Sequence, residues 1–149
     1  MTVTNTSGYG CGIRMKNAKV ELMDVALKGC DDAALFIPSP TSETTLVATR
    51  CEFANSNQGA VVFGSLTSAT FKNCVFHDND HDGIYASNQA TIHLHGDVTA
   101  VHSNRYHGIN VSYSAKVIIH LPSHHNTVYN NGEEYWTTHN GGTITNVED

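Results

Sequence analysis

Short apolar segments punctuated by Asn, Gly, Ser and Asp recur along the whole chain. Six of them, KVELMDV, TLVATRC, TFKNCVF, TIHLHGDV, KVIIHLP and TITNVED, align on Val20, Leu46, Phe71, Ile92, Val117 and Ile144, at intervals of 26, 25, 21, 25 and 27 residues. Apolar and polar positions alternate within each segment, as they do in a strand with one buried face. Self-similarity at a period of roughly 20 to 50 residues means stacked units that bury one shared core.

Each period holds two further apolar stretches. One carries Leu27, Phe53, Phe76, Val101 and Val128; the other opens with a small residue followed by an apolar one, as in Gly12-Ile13, Ala34-Leu35, Gly59-Ala60, Gly83-Ile84 and Gly108-Ile109. Side chains two apart share a strand face, so Met15, Ile37 and Val111 point inward again. Three stretches per period predict an all-β coil of about six turns with three short strands per turn. Val3 falls near the phase of Leu27, so the chain holds close to a whole number of turns.

An Asn follows the second stretch in four successive periods, at Asn57, Asn79, Asn104 and Asn131. Asn accepts left-handed backbone angles at a tight turn, and amides stacked at the strand spacing of about 4.8 Å bond to one another; these four are expected to form such a column. Cys51 and Cys74 share a repeat position and are expected as buried neighbours in adjacent coils. Together with Cys11 and Cys30 they show no zinc-knuckle spacing, and free thiols are expected, with Cys11 to Cys30 the pair that would bridge if any does.

The compound pattern, illustrated by F-K-N-C-V-F-H-D-N followed by D-G-I-Y, resembles the right-handed parallel β-helix repeats of the pectin-lyase-like group, which includes the domain named for carbohydrate-binding proteins and sugar hydrolases. The resemblance spans nearly the whole chain. It implies one right-handed, single-stranded parallel β-helix domain over residues 1–149, either alone or as a module of a longer array. A left-handed coil would need a strict six-residue repeat, which is absent, and an antiparallel sandwich gives no reason for equivalent residues to recur once per period. No amphipathic helix is evident to cover the ends, so continuation of the array or end-to-end self-association is expected.

Charge narrows the partners. The formal net charge is −6, with eight Lys and Arg and no basic run, which excludes a phosphate-tracking nucleic-acid surface. No apolar run approaches the roughly 18 residues of a membrane span, and the polar start lacks the charged and apolar regions of a signal peptide. The compartment is not legible.

Candidate chemistry gathers where D-N-D-H-D-G-I in one coil aligns with S-N-R-Y-H-G-I in the next, stacking Asp80 near Arg105, His81 near Tyr106 and Asp82 near His107. If the chain is an enzyme, His81 or His107 as base, Arg105 as carboxylate neutraliser and Tyr106 as acid would suit polyuronate elimination or epimerisation. The plainer reading is an Asp80–Arg105 ion pair among ordinary turn residues. Only fragments resemble polygalacturonases (Asp82-Gly83-Ile84 and His107-Gly108-Ile109); the Asp pair and Arg-Ile-Lys of that family are missing, so its roles are not carried over.

Other residues remain to be placed. His93 and His95 share an outward face, His120 lies at the position of His95 one coil later, and His124 or His125 is a distant fourth, so the three form a weak candidate metal cluster against the alternative of an imidazole column. His77 and His102 form a second column. Asp78, Asp80 and Asp82 alternate along a turn and do not look like a calcium loop. Tyr85, Tyr113 and Trp136 are candidate sugar-binding rings, near the longer connections Pro38–Glu43 and Glu133–Trp136. The sequence therefore favours a noncatalytic module that binds a polysaccharide or a protein surface, or serves as a structural scaffold, with no cofactor; the alternative is a lyase or epimerase acting on an acidic glycan.

Overall fold

A computed structural model describes residues 1–8, 10–121 and 127–148; the side chains of Leu121, Glu134, Tyr135 and Trp136 also lie outside the described set. Among the described residues all regular structure is strand, arranged as three parallel sheets of six strands. Sheet 1 stacks Thr2–Val3, Ala26–Lys28, Glu52–Ala54, Val75–His77, Ala100–His102 and Val128–Tyr129. Sheet 2 stacks Ile13–Arg14, Ala33–Ile37, Gln58–Phe63, Ile84–Ser87, His107–Val111 and Glu134–Thr138. Sheet 3 stacks Lys19–Met23, Thr44–Thr49, Thr67–Lys72, Thr91–His95, Lys116–Leu121 and Thr143–Glu148. The chain visits the sheets in turn, one strand at a time, so each lap adds one rung to all three.

The core runs down the middle. In sheet 1, Val3, Leu27, Phe53, Phe76, Val101 and Val128 pair rung by rung, and in sheet 2 the inward row is Ile13, Leu35, Ala60, Ile84 and Ile109. Phe53 stacks on Phe76 with centroids 4.8 Å apart, and Phe71 meets both edge-on at 5.5 and 5.0 Å. All three rings are fully buried.

Sheet 3 departs from the sequence alignment in one place. Leu46 pairs with Ala69, and Ala69 with Ile92, giving two steps of 23 residues; Phe71 pairs instead with Ala48 and Leu94. The uneven 25 and 21 intervals therefore came from a two-residue slip. Packing explains the true register: Ala69 stands between Leu46 and Ile92, and Phe71 has Ala48 on one side, so small residues make room for the large ones beside them. A slip of two leaves every side chain on its own face, so alternation alone does not reveal it.

The turn between sheets 1 and 2 repeats five times with a left-handed residue: Gly29, Asn55, Asp78, Ser103 and Asn130 have φ of 66°, 51°, 55°, 57° and 52°. The next residue then turns inward. Asn79 Nδ2 donates to Asn104 Oδ1 at 2.9 Å and Asn104 Nδ2 to Asn131 Oδ1 at 2.9 Å, while the same amides reach the carbonyls of Phe53 and Phe76 at 3.2 Å. Ser56, not Asn57, continues this column: its N–H donates to Asn79 Oδ1 at 3.2 Å and its hydroxyl accepts from Cys30 N at 3.1 Å. The left-handed angles belong to the residues before the amides. The glycine column packs against it: a Cβ on Gly83 would lie 2.6 Å from Asn104 Nδ2 and 2.8 Å from the Gly108 carbonyl.

The four cysteines are free, and Cys30, Cys51 and Cys74 are buried. The longer Pro38–Glu43 connection is tied down: Thr41 and Ser42 N–H groups both donate to Asn17 Oδ1 at 3.0 Å.

Candidate functional site

The turn that builds the amide column also delivers the chemistry-bearing residues. After Asp78 and Ser103 the chain runs outward through residues 80–82 and 105–107, and parallel hydrogen bonds hold the two laps in step: Arg105 N to Asn79 O at 3.0 Å and Tyr106 N to His81 O at 3.2 Å. His81 therefore lies under Tyr106, ring on ring, with centroids 4.9 Å apart and planes 13° from parallel. The Arg105 guanidinium carbon sits 5.9 Å from the Tyr106 ring centroid. Among the described residues no ion pair joins Arg105 to Asp80, so the expected surface pair gives way to a cation on an aromatic face.

Asp82 is the best-held polar group here. It is 7% exposed, and its Oδ1 accepts from His107 N–H at 3.2 Å and faces His107 Nδ1 at 2.9 Å; its Oδ2 accepts from Asn110 Nδ2 at 3.1 Å. The other ring nitrogen, Nε2, stands 3.6 Å from Glu133 Oε2. An ionised carboxylate only accepts, so Asp82 holds the His107 ring with its Nδ1–H turned toward Oδ1 and its Nε2 toward Glu133. Among the described residues, the buried Asn110 Oδ1 and Gln58 Oε1 have no hydrogen-bond partner.

Tyr85 faces outward on the same sheet, between Val61 and Asn110 in register. Phe63 meets its ring edge-on at 5.4 Å, Phe36 meets Phe63 at 5.9 Å, and the Arg14 guanidinium lies 5.8 Å from the Phe36 centroid. This external ring cluster escaped the sequence reading; its signal is apolar residues at the outward alternate positions of the third stretch. Tyr113 is apart from it, 56% exposed on a turn with φ of 47°. Trp136 pairs through its backbone with Ile109, in the row that faces the core in preceding coils; its side chain lies outside the described residues.

The structure also brings the three histidines of sheet 3 together. His93 Nδ1 lies 2.8 Å from His120 Nε2, His95 stacks on His120 at 3.8 Å, and one nitrogen from each ring falls within 4.8 Å of the others. Burial, then the charge of His120, holds His93 below the usual histidine range. His124 and His125 lie outside the described residues. On sheet 1, His77, His102 and Tyr129 stack at 5.2 and 4.9 Å, with His77 bridging Glu52 at 2.6 Å and Asp78 at 2.5 Å. Asp78 and Asp82 are thus committed to different histidines and do not converge as calcium ligands.

No curated protein and no solved structure matches the chain. The family model described as "Right handed beta helix region" matches residues 2–148, which supplies the hand of the winding. Three parallel sheets visited in rotation agree with that description, and the chain belongs to the right-handed β-helix family.

Proposed function

We propose that this β-helix is a rigid, noncatalytic recognition module for a polysaccharide, bound along the outer face of sheet 2. The observation that carries the reading is the row Phe36, Val61, Tyr85 and Asn110, one residue per coil, flanked by Phe63, Asp82 and His107. Apolar ring surface suits the C–H faces of a sugar, and the imidazole edge of His107, held from behind by the buried Asp82, suits its hydroxyls. The row advances about 4.8 Å per coil on backbone that is already ordered, so a linear polymer lies along it at little ordering cost. A formal charge of −6 favours a neutral glycan. Glycan-array screening followed by calorimetry tests this: Tyr85→Ala and Asn110→Ala should each weaken binding about tenfold, equivalent to roughly 1.4 kcal/mol. Absence of any glycan ligand would leave the protein-contact or scaffold role.

The Asp82–His107 pair favours a second reading, a lyase or epimerase on an acidic glycan. His107 Nε2 would take the proton beside the substrate carboxylate, Arg105 would neutralise that carboxylate, and Tyr106 or His81 would serve the leaving oxygen. Absorbance of unsaturated product from polyuronates, abolished by His107→Gln with the fold intact, would establish it. A pectin-lyase-like kinship belongs to this same proposal. So does end-to-end association, since Lys19–Met23 and Thr143–Glu148 each have a strand neighbour on one side only in the structure.

A further inference from the structure

We propose that His93, His95 and His120 form a binding site for one divalent transition metal of the zinc class, the described residues supplying three of its ligands. The site lies on sheet 3, on a different sheet from the glycan row. His93 and His95 are two apart on one strand and so project from the same face. His120 continues the column of His95 on the next coil, as the pairing of Leu94 with Ile119 fixes. The backbone alone therefore sets two of the three spacings.

The side chains complete the arrangement. One nitrogen from each ring lies within 4.8 Å of the others, and His93 Nδ1 and His120 Nε2 are 2.8 Å apart. Zinc–nitrogen bonds of about 2.05 Å place two ligands of one tetrahedral ion about 3.3 Å apart, so that pair needs to open by only about 0.5 Å. His95, stacked on His120 at 3.8 Å, reaches the ion by rotating about its own χ angles, without backbone movement. All three residues are half-buried, so the ion keeps a solvent side. Imidazole donors without carboxylate select zinc, nickel, cobalt or copper over calcium or magnesium. Among the described residues three imidazoles converge, the number that a zinc site with an exchangeable fourth ligand uses. Lys72, one rung from His95 on the opposite side to His120, is exposed, so its ammonium turns into solvent.

The bound ion would bridge two coils, Thr91–His95 and Lys116–Leu121, and so stabilise the folded chain by mass action. The experiment uses the full chain, stripped with chelator and titrated with Zn²⁺ by calorimetry and with Co²⁺ by visible absorbance. One equivalent should bind, with a Co²⁺ band of low-coordinate character and a raised melting temperature. His95→Gln and His120→Gln should each weaken binding by at least the roughly 10–100-fold seen for lesser perturbations of metal sites, and the triple variant should lose it. Imidazole NMR signals of His93, His95 and His120 in the unaltered chain should shift together on Zn²⁺ addition, a readout independent of how well the variants fold. Undiminished affinity in the folded triple variant, or shifts confined to other histidines, would overturn the site, as would failure of the unaltered chain to bind.

Discussion

The Asp82 carboxylate and the His107 imidazole, 25 residues apart in sequence, meet at 2.9 Å because one lap of the coil separates them. The same carboxylate also accepts the His107 N–H and the Asn110 amide, so it organises three donors from the next rung. Asp82→Ala should destabilise the fold by roughly 2–4 kcal/mol, since buried donors lose their acceptor. It should also release the imidazole tautomer. Denaturant titration and ¹⁵N imidazole shifts measure the two effects; an unchanged tautomer would show that Asp82 does not orient the ring.

Asn104 is the centre of the amide column, 2% exposed, donating to Asn131 Oδ1 and the Phe76 carbonyl while accepting from the Asn79 amide and N–H. Asn104→Ala should cost roughly 2–4 kcal/mol in urea unfolding because it strands buried groups on both adjacent coils. Asn57→Ala should be close to neutral by comparison, since the column passes through Ser56.

Acid should weaken the protein through His102. Burial, then the charge of His77, lowers its pKa, against a smaller opposite pull from Asp78. The unfolded histidine then binds a proton more readily than the folded one, so stability is full above the unfolded value of 6.5 and falls as pH drops below it toward the folded value. Melting temperatures recorded from about pH 7.5 to 5.5 should decline less in His102→Gln than in the parent chain. Glu52 acts in the same direction lower down: burial raises its pKa, hydrogen bonds from His77 and Lys28 outweigh that, and the net value lies below 4.5, so its stabilisation is lost as pH falls further.

Thiol labelling should follow the coil. Burial pushes the Cys74 thiol up to about 12, and it raises Cys11 too, with Asp32 adding to the effect. Thiolate is the reactive form, so Cys74 should resist alkylation in the native protein while half-exposed Cys11 reacts first, though slowly. Mass spectrometry of a time course checks the order; early labelling of Cys74 would mean that the core opens.

The period, the three strands per turn, and the pairing of Asp82 with His107 and His81 with Tyr106 were legible because each depends only on equivalence between laps. The position of Phe71 was not, since a two-residue slip preserves the inward face and only the fit of Ala69 between Leu46 and Ile92 decides it. Asn57 was misplaced for a related reason: the column needs a polar hydrogen-bonding side chain just after the left-handed residue, and Ser56 meets that need one position earlier. Arg105 has an oppositely charged residue and an aromatic ring within one lap, and sequence does not rank them; the structure chooses Tyr106. The Phe36, Phe63 and Tyr85 cluster depends on register across three coils, which composition does not carry.

Nuclear Overhauser contacts in the isotope-labelled chain test the winding itself. The account predicts cross-strand contacts from Ala69 to both Leu46 and Ile92, and from Ile92 to Val117, all between parallel strands one lap apart. Contacts between strands consecutive in sequence, in the antiparallel pattern of hairpins, would contradict it and dissolve the histidine cluster, the amide column and the glycan row together.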